Sequence, residues 1–434
     1  MKTSLRPHFF TFLVLMMLLF SSVIMAQEER EPVTLRLTWW GSETRHERTT
    51  QVVELFEAEY PWITVVSEPI SAFNDYWIAL DAQATAGNLP DVVQQDYSRL
   101  ELWVDNGWLL PLDDLVEDGL IDLSNVSEAN IQGGIVDESL YAVSMGTNSF
   151  GVLLDVEAFE SAGIPLPEQD WTWTDFENIC MELYEKLDRW CIGGNLDNDN
   201  GLASLMLGYG ELFYAEDQQS LGYTDDQPLI DFLNMQLRLQ KAGAIPNRAD
   251  QIQIEATAED EPIIAGDAVM AAIWSNQLVA IWNASGEDRE FIMVHMPRPE
   301  DGCCSENYVK PSQFLAVNAN SEHPEEAALL IDFFTNSLEA NRILLAERGV
   351  PISGLVQEDL TDYVTPAQVE MFAFLSRVEK DSSPLPPPDP ALHGSIRDTL
   401  IYPILRDAVL FEEITADEAV ILFREEVDAL LSAQ

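Results

Sequence analysis

Leu140-Tyr-Ala-Val-Ser-Met-Gly-Thr-Asn-Ser-Phe-Gly-Val-Leu-Leu-Asp155 sets two apolar runs on either side of a polar gap, Gly146-Thr147-Asn148-Ser149. Apolar runs of this length, bounded by turn residues, read as buried strands. The gap has no packing purpose, so it is either a turn or a place where side chains meet a ligand. It is also where the chain is expected to pass from one lobe to another.

Upstream, Val33 to Trp39 alternates as a strand, and Ser42-Glu43 starts a helix that leads into Thr49 to Tyr60 and stops at Pro61. Ile63 to Val66, Tyr76 to Ala86 and Asp91 to Gln94 follow as strand, helix and strand. This β-α-β-α-β beginning argues for an α/β fold with mixed, mainly parallel sheets flanked by helices. Ligands of such sheets gather at the carboxyl ends of the strands. Here those ends are Trp39 to Glu43 and Gln95 to Tyr97. Downstream, Glu157 to Ala162 reads as a short helix and Thr174 to Arg189 as a longer one capped by Thr174. Gly266 to Ile273 reads as a buried strand ending in Trp274-Ser275-Asn276-Gln277, Phe314 to Val317 as a strand, and Pro324 to Thr335 as a helix. Ser383 to Pro390 holds five prolines and reads as a stiff surface loop within a helical C-terminal region.

Residues 1–26 have the layout of a secretory signal: Lys2 and Arg6, an apolar run from Phe9 to Phe20, and Ala26 before Gln27-Glu28-Glu29. The run is short of the roughly 20 residues that span a bilayer. Without a cysteine at the cleavage site no lipid anchor is expected, and the mature chain is expected in a periplasm or outside the cell. Removing Lys2 and Arg6 leaves 20 basic against 75 acidic residues, which excludes a nucleic-acid or anionic-membrane surface. Such acidity, with only five lysines, is also a plausible adaptation to high salt. In an oxidising compartment the four cysteines are expected to pair, with Cys180 bonded to Cys191 across one helix and its following turn. Cys303 and Cys304 are then adjacent; a vicinal bond, two free thiols and an intermolecular link are the alternatives.

Catalytic and metal-binding patterns are missing from the sequence. His46, His295, His323 and His393 show no zinc-binding spacing, and neither a nucleophile elbow nor a phosphate loop is present. Carboxylate pairs for a glycosidase are unavoidable among 75 acids and therefore uninformative. Asn195 to Gly201 resembles a calcium loop in its first positions, but its glycine comes one residue late and Met206 replaces the closing glutamate, so a polar loop is the better reading. What the strand ends share is flat rings beside neutral hydrogen-bonding groups: Trp39, Trp40, Tyr97 and Trp274 next to Ser42, Glu43, Asp96, Asn276 and Gln277. Sugars present apolar C–H faces rimmed by hydroxyls, which is what rings and amides recognise.

The chain resembles the extracellular solute-binding proteins of ABC transporters, in the carbohydrate-binding group related to maltose-binding protein. The likeness rests on Leu37 to Ser42, Gly87 to Val93, Gly107 to Leu112, Leu140 to Asp155 with Trp171 to Thr174, Ala265 to Gln277, Lys310 to Ala327 and Arg348 to Pro351, in that order. It implies the two-lobe type II periplasmic-binding-protein fold, one lobe from 27–145 plus 297–349 and the other from 146–296 plus 350–434, with a ligand cleft between them. It implies a monomer that needs no cofactor, metal or catalytic residue, whose partners are a carbohydrate and the permease subunits. Trp40, Glu43, Asp96, Tyr97, Thr147, Asn148, Trp274 and Asn276 match positions that face the cleft in such proteins. Arg45 and His46 at the first helix's N-terminal turn, with Lys310 and Arg348, are possible anion contacts. Uronates, polyols or glycerol-phosphate derivatives are alternative ligands, and a secreted polysaccharide-cleaving enzyme is the alternative of another class.

Overall fold

The computed structural model describes residues 31–194, 196–254, 260–286 and 289–432. The leader expected at 1–26 and Asn195 fall outside them. Val33–Trp40 (β1) leads through a cap at Ser42, whose hydroxyl accepts from Arg45 N, into Glu43–Glu59 (α1). Ile63–Ile70 (β2), Phe73–Ala86 (α2), Val92–Gln95 (β3) and Tyr97–Asp105 (α3) complete the expected alternation. The quoted stretch supplies Ala142–Ser144 (β4), Thr147–Asn148 (β5) and Phe150–Asp155 (β6). After it come Trp173–Leu187 (α4), Trp190–Ile192 (β7), Asp199–Gly208 (α5), Ala268–Trp274 (β8), Leu278–Ser285 (α6) and Phe291–Val294 (β9). Lys310–Pro311 (β10), Phe314–Val317 (β11), Pro324–Asn336 (α7), Leu338–Leu344 (α8), Pro366–Val378 (α9) and Ala416–Leu431 (α10) follow.

The strands make two main sheets, ordered β2-β1-β3-β11-β4 and β9-β6-β8-β7. Both are mixed. β1 runs parallel to β2 and β3, and β7 to β8, but the other four pairings are antiparallel, so the parallel majority expected from the opening alternation does not extend to the whole chain. The reason is connectivity. A strand such as β11, which returns to its sheet from the far lobe, needs no crossover helix and can enter antiparallel.

Each sheet is covered on both faces. Val52, Val53 and Phe56 of α1, with Ile331 and Phe334 of α7, pack on one face of the first sheet; Tyr76, Trp77 and Trp103 of α2 and α3 pack on the other. Phe176 and Leu183 of α4 and Phe423 of α10 cover one face of the second sheet, and Leu278, Met371 and Phe374 of α6 and α9 cover the other. The molecule is thus two three-layer α/β units, each with its own core. The α4 cap is Thr172 rather than Thr174: its hydroxyl takes Asp175 N at 3.1 Å while Asp175 returns to Thr172 N, a capping box two residues earlier than expected. Asn198 likewise caps α5 by accepting from Gly201 N at 2.8 Å, which explains the polar loop there without calcium.

The main chain crosses between the units beside one hydrogen-bonded ribbon. β10 pairs antiparallel with β5, Lys310 opposite Asn148 and Pro311 opposite Thr147. On the other edge of β5, Thr147 and Val350 exchange backbone bonds of 2.9 and 3.1 Å. Gly146 permits this approach, since a Cβ there would lie 2.6 Å from Arg348 O. Gly349 is held at φ +106°, which side-chain-bearing residues rarely adopt. Residues 299–307 make their contacts on the second unit: Glu306 accepts from Trp173 Nε1 at 2.7 Å, Cys304 N donates to Gly208 O, and Asn307 Nδ2 reaches Ser149 Oγ. Disulfides join Cys180 to Cys191 and Cys303 to Cys304, so the favoured pairing forms and the adjacent pair takes the vicinal bond among its alternatives.

Candidate ligand cleft

The ribbon is the floor between the two units. Residues directly opposite in an antiparallel ladder share a face, so Lys310 and Asn148 stand side by side. Asn148 Nδ2 lies 3.3 Å from where a Gly349 side chain would begin, which continues the row to the segment that bridges Thr147 through Val350. Asn148 Oδ1 accepts from Ser275 Oγ at 3.3 Å, and Ser275 N donates to Ser149 O at 3.0 Å. The polar gap read in the sequence is therefore bonded to the end of β8.

Trp274 forms the wall on the second unit. Its ring is half-buried, edge-on to Phe150 and Tyr308, and Lys310 Nζ sits 4.6 Å from its centroid. A cation on an exposed ring contributes about 0.5–1 kcal/mol, little enough for a stacking ligand to displace it. The freed ammonium would then lie at the ligand's rim.

Toward Gly349 the floor opens into a cavity of about 390 Å³, lined from both units by Arg45, Arg48, Asn148, Asn276, Glu347, Arg348 and Gln368 among others. Arg45 Nε is already engaged by both oxygens of Glu347, at 2.9 and 3.0 Å. Arg348 is buried and donates to Thr49 Oγ1 at 2.8 Å; its Nη1 is ion-paired with Glu347 Oε2 at 3.5 Å, and its Nε finds no hydrogen-bond acceptor. Burial first, then the charge of Arg45, pulls its pKa down to about 9, against Glu347; it remains a cation at neutral pH.

The other expected residues divide. Thr147 is fully buried, its backbone in the ribbon and its hydroxyl without a partner. Tyr97 crosses the junction, donating to Pro386 O at 2.8 Å. Trp40 packs among Phe73, Tyr76 and Trp77, 8 % exposed, as a core ring rather than a free stacking surface. Asp96 caps α3 through Ser98 N and Oγ, and His46 Nδ1 accepts from Trp39 Nε1 at 3.0 Å. Glu43 stands exposed in the first turn of α1. The structure thus gathers Asn148, Asn276, Arg45 and Arg348 around one cavity and Trp274 with Lys310 beside it, and occupies Trp40, Asp96 and His46 elsewhere.

Buried polar atoms without a hydrogen-bond partner occur at this junction, at Gln94 Oε1, both amide atoms of Gln95, Thr147 Oγ1, Ser312 Oγ, Gln313 Oε1 and Arg348 Nε, as they do elsewhere in both units, at Trp103, Gln236 and His295 among others. Leaving a buried donor or acceptor unpaired costs about 1–3 kcal/mol, so those that border the cavity are groups a ligand's hydroxyls could satisfy. Gln94 and Gln95 end β3; Gln95 belongs to the strand end expected from the sequence to meet a ligand, and Gln94, the amide before it, does not. Tyr308, Glu347 and Gln368 carried no signal in the sequence, because their place depends on how distant segments meet. Among the described residues no cluster of three His, Cys, Asp or Glu could hold a metal ion, and no helix is long and apolar enough to cross a membrane.

Residues 51–354 match the family described as bacterial extracellular solute-binding protein. The chain belongs to that family. A solved family 1 extracellular solute-binding protein from Alicyclobacillus acidocaldarius is 25% identical to this family member and superposes with a TM-score of 0.86, covering 93% of this chain and 100% of that one. A periplasmic oligogalacturonide binding protein from Yersinia enterocolitica shares the fold at 20% identity and a TM-score of 0.75, over 92% and 99% of the two chains. A lactose-binding protein of Rhizobium radiobacter is 23% identical over 235 residues; the match spans about half of each chain, 53% in both cases. The two three-layer units are the type II architecture of these binding proteins.

Proposed function

We propose that the chain is the substrate-binding subunit of an ABC importer, capturing a sugar or oligosaccharide between its lobes and delivering it to the membrane permease. The observation that carries this reading is the junction itself. A half-buried Trp274 ring, the amides of Asn148 and Asn276, and the unpartnered polar atoms of Thr147, Ser312 and Gln313 meet where the two units join. Rings take the apolar face of a pyranose and amides its hydroxyls. The relatives named for lactose and oligogalacturonide support the same substrate class.

In this reading the lobes are 27–145 with about 311–349, and 146–310 with 350–434. The contacts of 299–307 favour moving the boundary from 297 to about 310. The crossings act as a hinge, and closure presents the permease with one recognisable shape. The protein works without catalysis, as a monomer exported by its leader, in a periplasm or outside the cell. A uronate is the second reading: Arg45, Arg48 and Arg348 line the cavity, and Lys310 stands beside it, in a chain of net charge −53.

Thermal shift against neutral and acidic saccharides tests the proposal. A ligand at 100 times its Kd adds about 2.7 kcal/mol of stability. No shift with any saccharide, together with release of reducing ends from a polysaccharide, would replace this reading with the enzyme.

A further inference from the structure

Residues 381–393 leave the second unit, touch the first and return. Ser383 N donates to Asn307 O at 2.8 Å, fixing the start of the segment. Leu385 N then donates to Gln132 Oε1 at 3.2 Å, and Pro386 O accepts from Tyr97 Oη at 2.8 Å; both partners belong to the first unit. Pro388 O accepts from Gln218 Nε2 at 3.3 Å, and His393 is held between Tyr214 Oη at 3.0 Å and Asp199 Oδ2 at 2.9 Å, back on the second. Pro384, Pro386, Pro387, Pro388 and Pro390 fix φ and remove most of the backbone donors, so the segment is stiff and bonds mainly through its carbonyls. Burial, with Glu101 adding, pushes the Tyr97 phenol up to about 12, which keeps it a donor at ordinary pH.

The segment passes at the Lys310 end of the floor. The site a Gly133 side chain would occupy meets both Pro311 Cγ at 2.7 Å and Leu385 Cδ2 at 3.2 Å, so Leu385 packs under β10 on the Pro311 face, while farther along the segment the Asp389 carboxyl comes near enough to Lys310 to feel its charge. The opposite end of the floor opens into the cavity by Glu347 and Gln368. A saccharide stacked on Trp274 therefore has room toward Asn276 and a wall toward Lys310.

Resting on the sugar-binding reading above, we infer that residues 383–393 are a strap that ties the two lobes at the Lys310 end and closes the groove there. The strap restricts capture to mono- and disaccharides and leaves the Glu347 end as the one that opens.

The test compares the wild type with Gln132→Ala and with a Pro386→Gly/Pro387→Gly/Pro388→Gly variant. Maltose and maltotetraose, and digalacturonate and tetragalacturonate, are titrated into each. The wild type is expected to prefer the short member by roughly tenfold or more, and the strap variants to lose most of that preference while keeping the short sugar and a cooperative melt. An unchanged length preference in both variants overturns the wall. Ligand-free small-angle scattering reads the tie itself: the strap variants and Tyr97→Phe are expected to have a larger radius of gyration than the wild type, and superposable curves overturn it. If none of the four saccharides binds the wild type, the sugar-binding reading fails, and the scattering alone decides whether the strap ties the lobes.

Discussion

Lys310 and Asn148 face each other across a two-residue antiparallel ladder, in a ribbon joining segments 162 positions apart in the chain. Their backbones hold two crossings in register while their side chains stand on the floor between the units. In the proposed reading, ligand contact and hinge geometry fall on the same residues.

Trp274→Ala removes the ring beside Lys310 without opening a sealed core, because the ring is only half-buried. Affinity for a saccharide that binds the wild type should fall about thirtyfold or more, roughly 2 kcal/mol, with the melting temperature little changed. Calorimetric titration and a thermal melt of the same preparation check both halves.

Asn148→Ala deletes the acceptor for Ser275 and the central side chain of the floor. Saccharide binding should weaken by about tenfold with a smaller effect on folding. Equal affinity in the variant would take Asn148 out of the site.

Gly146→Ala places a methyl 2.6 Å from Arg348 O, against backbone that cannot rotate away. Overpacking of this kind costs about 1–3 kcal/mol, to be read from the midpoint of urea unfolding. Unaltered stability would mean that the crossings separate easily.

His295 is 1 % exposed with neither ring nitrogen hydrogen-bonded. Burial first, then Arg298 and Arg377, pulls its pKa from 6.5 to about 4, against Asp381. With the folded pKa depressed, the unfolded chain binds the extra proton, so stability falls as pH drops from 6.5 toward 4, by up to about 3 kcal/mol from this group. Denaturant melts across that range should show a shallower decline in His295→Gln; an identical slope would mean that the imidazole is charged in the fold.

With 75 acidic residues and 22 basic ones, the surface repels itself at low ionic strength. Melting temperature should rise between low and molar NaCl as screening shortens the range of that repulsion. A flat response would remove high salt from the reading of the composition.

The polar gap at Gly146 to Ser149 was legible because apolar strands have no local use for it, and the alternation from Val33 to Gln94 was legible because period and punctuation are local. Single side chains were harder. Trp40 and Trp274 both end strands beside polar residues, yet one packs among three rings and the other lines the junction. Burial, not sequence, separates them. Tyr97 and Pro386 lie 289 residues apart, so nothing local could announce their bond. The Pro-rich segment was legible as stiff but not as a bridge, because its partners Gln132 and Tyr97 belong to the other unit.

Small-angle scattering of the wild type, with and without a saccharide that raises its melting temperature, tests the central claim most directly. Capture between the lobes predicts a smaller radius of gyration at saturation. An unchanged radius at full occupancy would place the sugar outside the cleft and contradict the account.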